Sequence, residues 1–455
     1  MSLSIVILAA GKGSRMKSNK PKVIHDVAGK PMLQHVVDTS KSLNPEQVIV
    51  VIGHESEQVI ETMQGQNLIF VEQVEQLGTG HAVLQCHDEL KPGNDILVLY
   101  GDVPLIRLTT LEELIVKGQK DNVVCLLSFD AANPTGYGRI VRDESGNVTA
   151  IVEEKDASDD VRKLTESNSG ILYIRGSEYG ELLSELDADN AQKEYYLTDV
   201  VKHAVNKNHN VAAVICGDES EVLGVNNQLQ LAEIETIYRR RRAESLMSQG
   251  VKIVDPARID IRAEVIAGQD VVIDVNCVLE GQIELEDGVE IGANCVLKDC
   301  KIGRNTKVQP MCIIDQSEIG ENNDIGPFAR IRPETKTLNK AKIGNFVEVK
   351  KSVIGEGSKV NHLTYIGDTE MGTDVNIGAG TITCNYDGAF KHKTIIEDGV
   401  FVGSDTQLVA PVRISKNTTI GAGSTITKDT PEGELSFSRA KQVSISGWIR
   451  PSKNK

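Results

Sequence analysis

Short, nearly continuous apolar runs alternate with segments of helical periodicity in the first half of the chain. Strands are predicted at residues 5–10, 48–53, 69–72, 95–101 and 123–129. Apolar residues recur at helical spacing over residues 32–43, 55–63, 80–90 and 109–120. Strands that alternate with helices and are apolar on both faces predict an α/β domain with a doubly wound, mostly parallel, Rossmann-like sheet. A β-hairpin is predicted over 138–156, with its turn at 145–147.

The second half of the chain follows a period of six. Aliphatic residues recur without a break at Val402, Leu408, Ile414, Ile420 and Ile426. Two shorter runs have the same spacing: Ile302, Val308, Ile314 and Ile319, Ile325, Ile331. Hexapeptide repeats predict a parallel β-helix in which the aliphatic residues stack as an interior column. Breaks at 333–342 and 384–394 are predicted to be projecting loops, where sites tend to lie.

The strand–helix alternation of the first half and the six-residue repeat of the second half divide the chain into domains. Apolar positions 231, 234, 238 and 246 lie on one face of a predicted helix, and Gly250 follows it as a stop. We therefore predict a first domain at 1–228, a helical linker at 229–249 and a β-helix domain with a C-terminal arm at 250–455.

Composition limits the function classes. The 455 residues carry a formal net charge of −16, which argues against a surface that binds nucleic acid or anionic membrane. The run Arg239–Arg242 is better explained as a solvated helix face, so no nucleic-acid partner is expected. The N-terminus shows no signal peptide, and no membrane insertion is expected. Eight cysteines without a C-x-x-C pair favour reduced thiols in a cytoplasmic protein.

Gly11-Lys12-Gly13 follows the first predicted strand and precedes a predicted helical region. It fits neither the dinucleotide pattern, which needs glycine where Met16 stands, nor the Walker pattern. Glycines still let backbone N–H groups approach an anion, a helix N-terminus favours negative charge, and Arg15 and Lys22 add positive charge. From these residues alone, a tight turn beside solvated lysines explains the loop equally well.

The loop also has a family resemblance. L-A-A-G-K-G-S-R-M from Leu8, followed by Pro21-Lys22, resembles the signature of sugar-phosphate nucleotidylyltransferases. Further motifs are Q-V-E-Q-L-G-T from Gln73, L-Y-G-D from Leu99, N-H-L-T-Y from Asn361 and N-Y-D-G from Asn385. Together they closely resemble the bacterial bifunctional N-acetylglucosamine-1-phosphate uridylyltransferase/glucosamine-1-phosphate N-acetyltransferases, over nearly the whole chain.

The resemblance implies a uridylyl-transfer site in the first domain. Arg15 and Lys22 are expected to act in catalysis, and Asp102 and Asn226 to hold Mg²⁺. Asp102 also ends a predicted parallel strand, where open α/β sheets bind ligands, although a helix N-cap is an alternative role. The residues expected to bind UTP and the sugar nucleotide are Leu8, Ala9, Ala10, Gly11, Lys22, Gln73, Gly78, Thr79, Tyr100, Gly101, Asp102, Gly138, Glu153, Asn168 and Asn226. Glu153 could equally be an exposed hairpin carboxylate.

The resemblance implies an acetyl-transfer site in the second domain. A lone histidine is more often structural, but a neutral imidazole can accept a proton from an attacking amine, so His362 is the expected catalytic base. The residues expected to bind glucosamine-1-phosphate are Arg332, Lys350, Tyr365, Asn376, Asn385 and Tyr386. Those expected to bind the co-substrate acetyl-coenzyme A are Ala379, Asn385, Tyr386, Ser404, Ala422 and Arg439.

The family further implies a left-handed β-helix, a homotrimer and a product, UDP-N-acetylglucosamine, that feeds peptidoglycan synthesis. Two alternatives share this architecture. One is a nucleotidylyltransferase whose β-helix is only regulatory, as in ADP-glucose pyrophosphorylases. The other is a non-catalytic interaction module of the translation-initiation exchange-factor type, which would have eroded loops.

Overall fold

The computed structural model describes residues 2–452 and divides into two compact units, residues 1–238 and 239–455. Each unit has its own core. A single helix, α8 (Gln228–Ser248), contains the division. Within the described residues, every helix is too short or too polar to cross a membrane.

The first unit is built on a sheet flanked by helices. Its strands are Leu3–Leu8 (β1), Asp26–Val27 (β2), Lys30–Pro31 (β3), Gln47–Ile52 (β4), Ile69–Glu72 (β5), Asp95–Tyr100 (β6), Val124–Asp130 (β7), Arg139–Arg142 (β8), Val148–Val152 (β9), Glu166–Ile174 (β10) and Val211–Cys216 (β11). Its α-helices are Met32–Ser42 (α1), Ser56–Thr62 (α2), Thr79–Leu84 (α3), Leu108–Gln119 (α4), Asp159–Arg162 (α5), Tyr179–Ser184 (α6) and Asp199–Asn206 (α7).

The main sheet has the order β11-β7-β10-β6-β1-β4-β5. Its neighbouring strands run parallel except β10, which is antiparallel to both β6 and β7. All six residues of β1 are buried, with Ile5 and Ile7 in one apolar cluster and Val6 and Leu8 in another. Side chains alternate across a strand, so helices must cover both faces. The doubly wound, mostly parallel sheet is therefore confirmed.

Two local predictions are confirmed or corrected here. The hairpin is present as antiparallel β8 and β9, with the turn between them. The helix predicted over 80–90 ends earlier, at Leu84, and residues 85–89 are turns.

The basic run in α8 is engaged in ion pairs. The Arg240 guanidinium lies 2.8 Å from Glu244, one helical turn away. Arg242 donates to the carbonyl of Ala263 at 2.6 Å and lies 3.3 Å from Glu264. These contacts account for the charge of both arginines within the protein.

The second unit consists of short strands. They are Lys252–Ile253 (β12), Ile259–Ala267 (β13), Val272–Ile273 (β14), Cys277–Leu285 (β15), Glu290–Ile291 (β16), Val296–Ile302 (β17), Lys307–Val308 (β18), Ile313–Asp315 (β19), Ser317–Ile319 (β20), Asp324–Ile325 (β21), Arg330–Ile331 (β22), Thr335–Thr337 (β23), Lys342–Asn345 (β24), Glu348–Lys350 (β25), Val353–Ile354 (β26), Lys359–His362 (β27), Tyr365–Gly367 (β28), Thr369–Met371 (β29), Asn376–Ile377 (β30), Ile382–Cys384 (β31), Thr394–Ile396 (β32), Phe401–Val402 (β33), Gln407–Val409 (β34), Val412–Ile414 (β35), Thr419–Ile420 (β36), Thr425–Ile426 (β37) and Leu435–Ser436 (β38).

These strands pair in parallel with the strand one coil away. On one face, Ile325 is in register with Ile343, and Ile343 with Val360. Every aliphatic residue of the predicted six-residue series is buried in one continuous core. The strands of two faces belong to one sheet, because the long strands β13, β15 and β17 continue from one face to the other and β17 pairs with both β19 and β20. The parallel β-helix is confirmed, while its handedness stays a prediction.

One predicted loop is wrong and the other is confirmed. Residues 333–342 do not project, because Thr335–Thr337 is a strand that pairs with β20 and β26. Residues 385–393 do leave the coil as a loop between β31 and β32. The register shows the insertion, since Ile377 pairs with Val402, 25 positions on, whereas Ile325 pairs with a residue 18 positions on.

Candidate functional site

A cavity of about 350 Å³ opens in the first unit at the carboxyl ends of β1 and β6. Ligands of open α/β sheets bind at this edge. The cavity is lined by Leu8, Ala9, Ala10, Gly11, Lys22, Val23, Gln73, Gln76, Gly78, Thr79, Ala82, Tyr100, Asp102 and Glu194. Ten of these were expected from the sequence. Gln76 was missed, although it lies inside the quoted motif from Gln73, and its amide donates to the carbonyl of Ala10 at 2.5 Å.

The loop after β1 does not lead into an α-helix. Ser14–Met16 forms one turn of 3₁₀ helix, and the first α-helix starts at Met32. The expected helix N-terminus at the loop is therefore wrong. Gly13 has φ +60°, and a Cβ there would lie 2.8 Å from the Cβ of Lys22. Glycine at this position lets the chain turn back so that Lys22 reaches the cavity.

Four side chains from distant parts of the first unit converge beside the cavity. The Lys22 ammonium lies 2.5 Å from Oδ2 of Asp102 and 3.2 Å from Oδ1 of Asn226. The Arg15 guanidinium donates to the same Asn226 oxygen at 2.9 Å. The backbone N–H of Val225 donates to the carbonyl of Asp102 at 3.0 Å, which ties the Asn226 segment to the end of β6.

Asp102 and Asn226 are suited to a hard divalent cation. They present one carboxylate and one amide oxygen, and Mg²⁺ commonly takes one or two protein ligands and completes its shell with phosphate and water. No group of three or more His, Cys, Asp or Glu side chains forms a metal cage among residues 2–452. The oxygens now accept hydrogen bonds from Lys22 and Arg15, so a metal would replace one cation with another.

Gly138, Glu153 and Asn168, which were expected to bind the sugar, are not among the residues that line the cavity, but they contact one another. Gly138 and Glu153 face each other, because a Cβ on Gly138 would lie 3.4 Å from both carboxylate oxygens. The N–H of Asn168 donates to the carbonyl of Gly138 at 2.8 Å. Burial raises the pKa of Glu153, although the Thr198 hydroxyl donates to the carboxylate at 3.1 Å. Glu153 is thus no freely exposed hairpin carboxylate.

Gly78 lines the cavity and packs closely against the backbone of Tyr195. Its φ is +114°, and a Cβ would lie 2.6 Å from the carbonyl oxygen of Tyr195. The N–H of Gly80 donates to that same carbonyl at 2.8 Å. The Gln73 side chain, 4% exposed, donates to the Gly78 carbonyl at 3.0 Å. These contacts fix Gln73 and Thr79 at the cavity edge.

In the second unit, five expected or neighbouring residues form a vertical column at one corner of the β-helix. Asn345, His362, Ala379, Ser404 and Ala422 occupy the same position in successive coils. The residue after each of the upper four donates its N–H to the carbonyl one coil below: Leu363 to Asn345, Gly380 to His362, Asp405 to Ala379 and Gly423 to Ser404. The Arg439 side chain packs beside the top of this column, against Gly421 and Gly423. We call this set the corner column.

A second group of charged and polar residues gathers at another corner. Arg332 lies 2.7 Å from Glu348, and the Asn385 amide donates to Asp368 at 2.5 Å and to the Tyr365 hydroxyl at 3.5 Å. We call Arg332, Glu348, Lys350, Tyr365, Asp368, Asn385 and Lys391 the polar corner. The neighbouring Lys391 ammonium lowers the pKa of Lys350. Lys350 thus lies close to the charges of Lys391, Asp368 and Arg332.

The inserted loop shapes this corner. Tyr386 forms an isolated antiparallel bridge with Lys391, which returns the chain to the polar corner. Asp387 accepts N–H bonds from Ala389 and Phe390 and lies 2.6 Å from the His392 imidazole. These bonds lower the pKa of Asp387. The Asp387 carboxylate therefore links several residues within the loop and stabilises its conformation.

The corner column and the polar corner are separate groups of side chains. Within residues 2–452, no side-chain hydrogen bond or ion pair links the corner column to the polar corner. Asn376 lies on a third position, in register with Lys359 and Phe401. Sequence reasoning missed Asn345, Glu348, Asp368 and Lys391. The one signal for Lys391 was its place in the predicted loop at 384–394.

Comparison with known families agrees with this two-part arrangement. Residues 5–168 match the MobA-like NTP transferase domain. Residues 261–337 match the GMPPB C-terminal domain, and residues 393–428 match the six-repeat bacterial transferase hexapeptide.

Relatives match this chain in sequence over its whole length. The bifunctional protein GlmU of Azoarcus sp. (strain BH72) is 53% identical over 453 residues, covering 100% of both chains. That of Saccharophagus degradans is 54% identical over 451 residues, with 99% and 100% coverage, and that of Marinobacter nauticus is 52% identical with 99% coverage of both. The chain therefore belongs to the GlmU family of bifunctional transferases, with a nucleotidyltransferase domain followed by a hexapeptide-repeat transferase domain.

Proposed function

We propose that the cavity of the first unit carries out uridylyl transfer and that the β-helix carries out acetyl transfer, the two steps by which this family makes UDP-N-acetylglucosamine for the cell wall. The observation that carries the proposal is the convergence of Arg15, Lys22, Asp102 and Asn226 beside a cavity of about 350 Å³. A regulatory or eroded domain has no need of such a constellation.

In uridylyl transfer, a phosphate oxygen of N-acetylglucosamine-1-phosphate attacks the α-phosphorus of UTP. The α–β phosphoanhydride bond breaks and pyrophosphate leaves with the bonding electrons. Catalysis of this kind depends on positioning and on neutralising spread charge. Lys22 and Arg15 supply that charge, while Gln73, Gly78 and Thr79 hold the base and the 138–168 segment holds the acetamido sugar.

The reaction also needs a divalent metal, which we propose is Mg²⁺. Asp102 and Asn226 would hold it through one oxygen each. When bound, the metal neutralises phosphate charge and aligns the leaving pyrophosphate.

In acetyl transfer, the amine of glucosamine-1-phosphate attacks the thioester carbonyl of acetyl-coenzyme A. The new C–N bond forms, the C–S bond breaks, and the amine proton passes to Nε2 of His362 before the thiolate takes a proton. His362 is exposed, as a base that meets substrate must be. Arg332, Lys350 and Lys391 bind the sugar phosphate, and Ala379, Ser404, Ala422 and Arg439 line the co-substrate groove.

We further propose a homotrimer. Four exposed apolar residues lie 17 or 18 positions apart in successive coils, and the upper two directly follow Asn345 and His362. They are Met311, Phe328, Phe346 and Leu363. Phe328 and Phe346 stack with ring centroids 5.2 Å apart. A second copy seated on this ridge would cover it and bring another polar corner toward His362. A cytoplasmic location stays a prediction, supported by the eight free thiols among the described residues.

A substrate-omission series read by mass spectrometry tests the proposal. Full-length protein receives glucosamine-1-phosphate, acetyl-coenzyme A, UTP and Mg²⁺, with each left out in turn. We expect UDP-N-acetylglucosamine only in the complete mixture, and N-acetylglucosamine-1-phosphate when UTP is withheld. Asp102→Asn should block only the second step and His362→Ala only the first. If supplied N-acetylglucosamine-1-phosphate is uridylylated but never formed, the β-helix is regulatory.

A further inference from the structure

We propose that Asn345 is a positioning residue for acetyl transfer, because it holds His362 in the tautomer that leaves Nε2 free to accept a proton. The inference rests on the proposed function, in which His362 is the base. Asn345 itself touches neither the amine nor the thioester in this scheme.

The hydrogen bond between the two side chains determines where the imidazole proton lies. Nδ1 of His362 is 2.9 Å from Oδ1 of Asn345. An amide oxygen can only accept a hydrogen bond, so Nδ1 must carry the hydrogen. A neutral imidazole has a single N–H, and Nε2 is therefore left with its lone pair. Only this tautomer can act as a base through Nε2, the nitrogen on the far side of the ring.

Backbone pairing fixes both residues. Asn345 and His362 are in register in adjacent parallel strands, β24 and β27. The N–H of Leu363 donates to the carbonyl of Asn345 at 3.1 Å, and the Thr364 hydroxyl donates to the carbonyl of His362 at 2.6 Å. The two side chains thus start about 4.8 Å apart, one coil above the other. The amide needs no loop movement to reach the ring.

A neutral amide suits a base that must be regenerated. When Nε2 takes a proton, Nδ1–H continues to donate to Oδ1, so the hydrogen bond survives the transfer. The amide adds no negative charge beside the imidazolium, unlike the carboxylate of a Ser-His-Asp triad. Because Asn345 is neutral, it forms no ion pair with the imidazolium, and His362 can release the proton without losing one.

The kinetic test compares three variants of the full chain. In Asn345→Ala, we expect kcat for acetyl transfer to fall by about 10- to 100-fold, below the ~10²–10⁴-fold value of general-base catalysis itself. The KM values for both substrates should stay unchanged. Asn345→Asp keeps an acceptor at the same place and should recover most of the kcat. Lys342→Ala, which truncates an exposed side chain on the same strand, is the matched control and should behave as the wild type.

The tautomer itself can be read by ¹⁵N solid-state NMR on sedimented, histidine-labelled protein. The His362→Gln variant identifies the His362 signals by their loss. We expect a protonated Nδ1 and a bare Nε2 in the wild type, and a shift toward Nε2–H in Asn345→Ala. A wild-type ring protonated on Nε2, or an Asn345→Ala variant with normal kcat, overturns the inference. If His362→Ala keeps acetyl transfer while the wild-type ring shows Nδ1–H, the base assignment fails and the hydrogen bond stands.

Discussion

Lys22 and Asp102, 80 residues apart in the chain, form an ion pair of 2.5 Å with only 13% and 15% of their side chains exposed. Both residues line the cavity of the first unit, and Oδ1 of Asn226 accepts a hydrogen bond from the same ammonium. The Lys22 ammonium thus contacts both oxygens that we propose as metal ligands, and it offsets the negative charge of Asp102.

This pair predicts that metal binding depends on the nucleotide. Without UTP, Mn²⁺ must displace the Lys22 ammonium from Asp102 and should bind weakly. In Lys22→Gln, the freed carboxylate should bind Mn²⁺ about tenfold more tightly, equivalent to ~1.4 kcal/mol. Titration followed by the electron paramagnetic resonance of free Mn²⁺ measures this.

A matched variant separates local from general charge effects. Lys20→Gln removes the same charge from an exposed pair, in which Lys20 lies 3.5 Å from Asp26. It should leave Mn²⁺ affinity unchanged. Equal tightening in both variants would show that net charge, and not displacement, controls the affinity.

Glu153 should make the first unit less stable as pH rises. Burial raises the pKa of its carboxyl, so the folded chain holds this proton to a higher pH than the unfolded chain. Stability is then unaffected below the unfolded pKa and falls as pH rises toward the folded pKa. Glu153→Gln should therefore gain stability over the wild type at pH 8 and match it near pH 4.

Calorimetric unfolding of the full chain at the two pH values measures this difference. Glu144→Gln, an exposed carboxyl on the same hairpin, is the control and should show no such gain. A Glu153→Gln gain that is the same at both pH values would mean that packing, and not protonation, is responsible.

Gly78→Ala should damage both stability and nucleotide binding. The added Cβ would lie 2.6 Å from the Tyr195 carbonyl at a backbone with φ +114°. Gly146→Ala is the matched control, because Gly146 also has positive φ but open space around it. We expect Gly78→Ala to lose about 1–3 kcal/mol more than the control from overpacking, measured by urea unfolding. UTP affinity should fall only in Gly78→Ala.

Lys391→Ala should weaken glucosamine-1-phosphate binding. Losing one charge-assisted hydrogen bond of about 1.5–3 kcal/mol corresponds to a KM increase of roughly 10- to 100-fold. Lys393→Ala removes a lysine from the same loop that pairs with Glu370 instead. It should leave KM unchanged, and an equal increase in both variants would rule out a specific role for Lys391.

Periodicity predicted the architecture well because it depends on local, repeated burial. The alternation of apolar positions located β1, β4, β5, β6 and β7, and the six-residue series located the β-helix core. The errors were equally local. A single 3₁₀ turn lies at Ser14–Met16 where a helical region was expected, and the segment 333–342, expected to be a loop, contains the paired strand Thr335–Thr337.

The candidate sites were less accessible to sequence reasoning, because their contacts join distant positions. Arg15 meets Asn226 across 211 residues, and no local pattern encodes that pairing. Family resemblance supplied those residues. Asn345 opens the family-like motif N-F-V-E-V-K-K, yet the resemblance gave it no role, because its contact with His362 joins residues 17 positions apart.

The residues of the corner column are evenly spaced along the axis of the β-helix, one per coil. From His362 to Ala422 there are three steps of about 4.8 Å, so the column spans roughly 14 Å along the axis. The seven or eight extra residues of the 385–393 insertion bulge away at the other corner and leave this spacing intact. Under the proposed assignment of the co-substrate groove, the backbone repeat sets the distance that an acyl donor must span from Ala422 to His362.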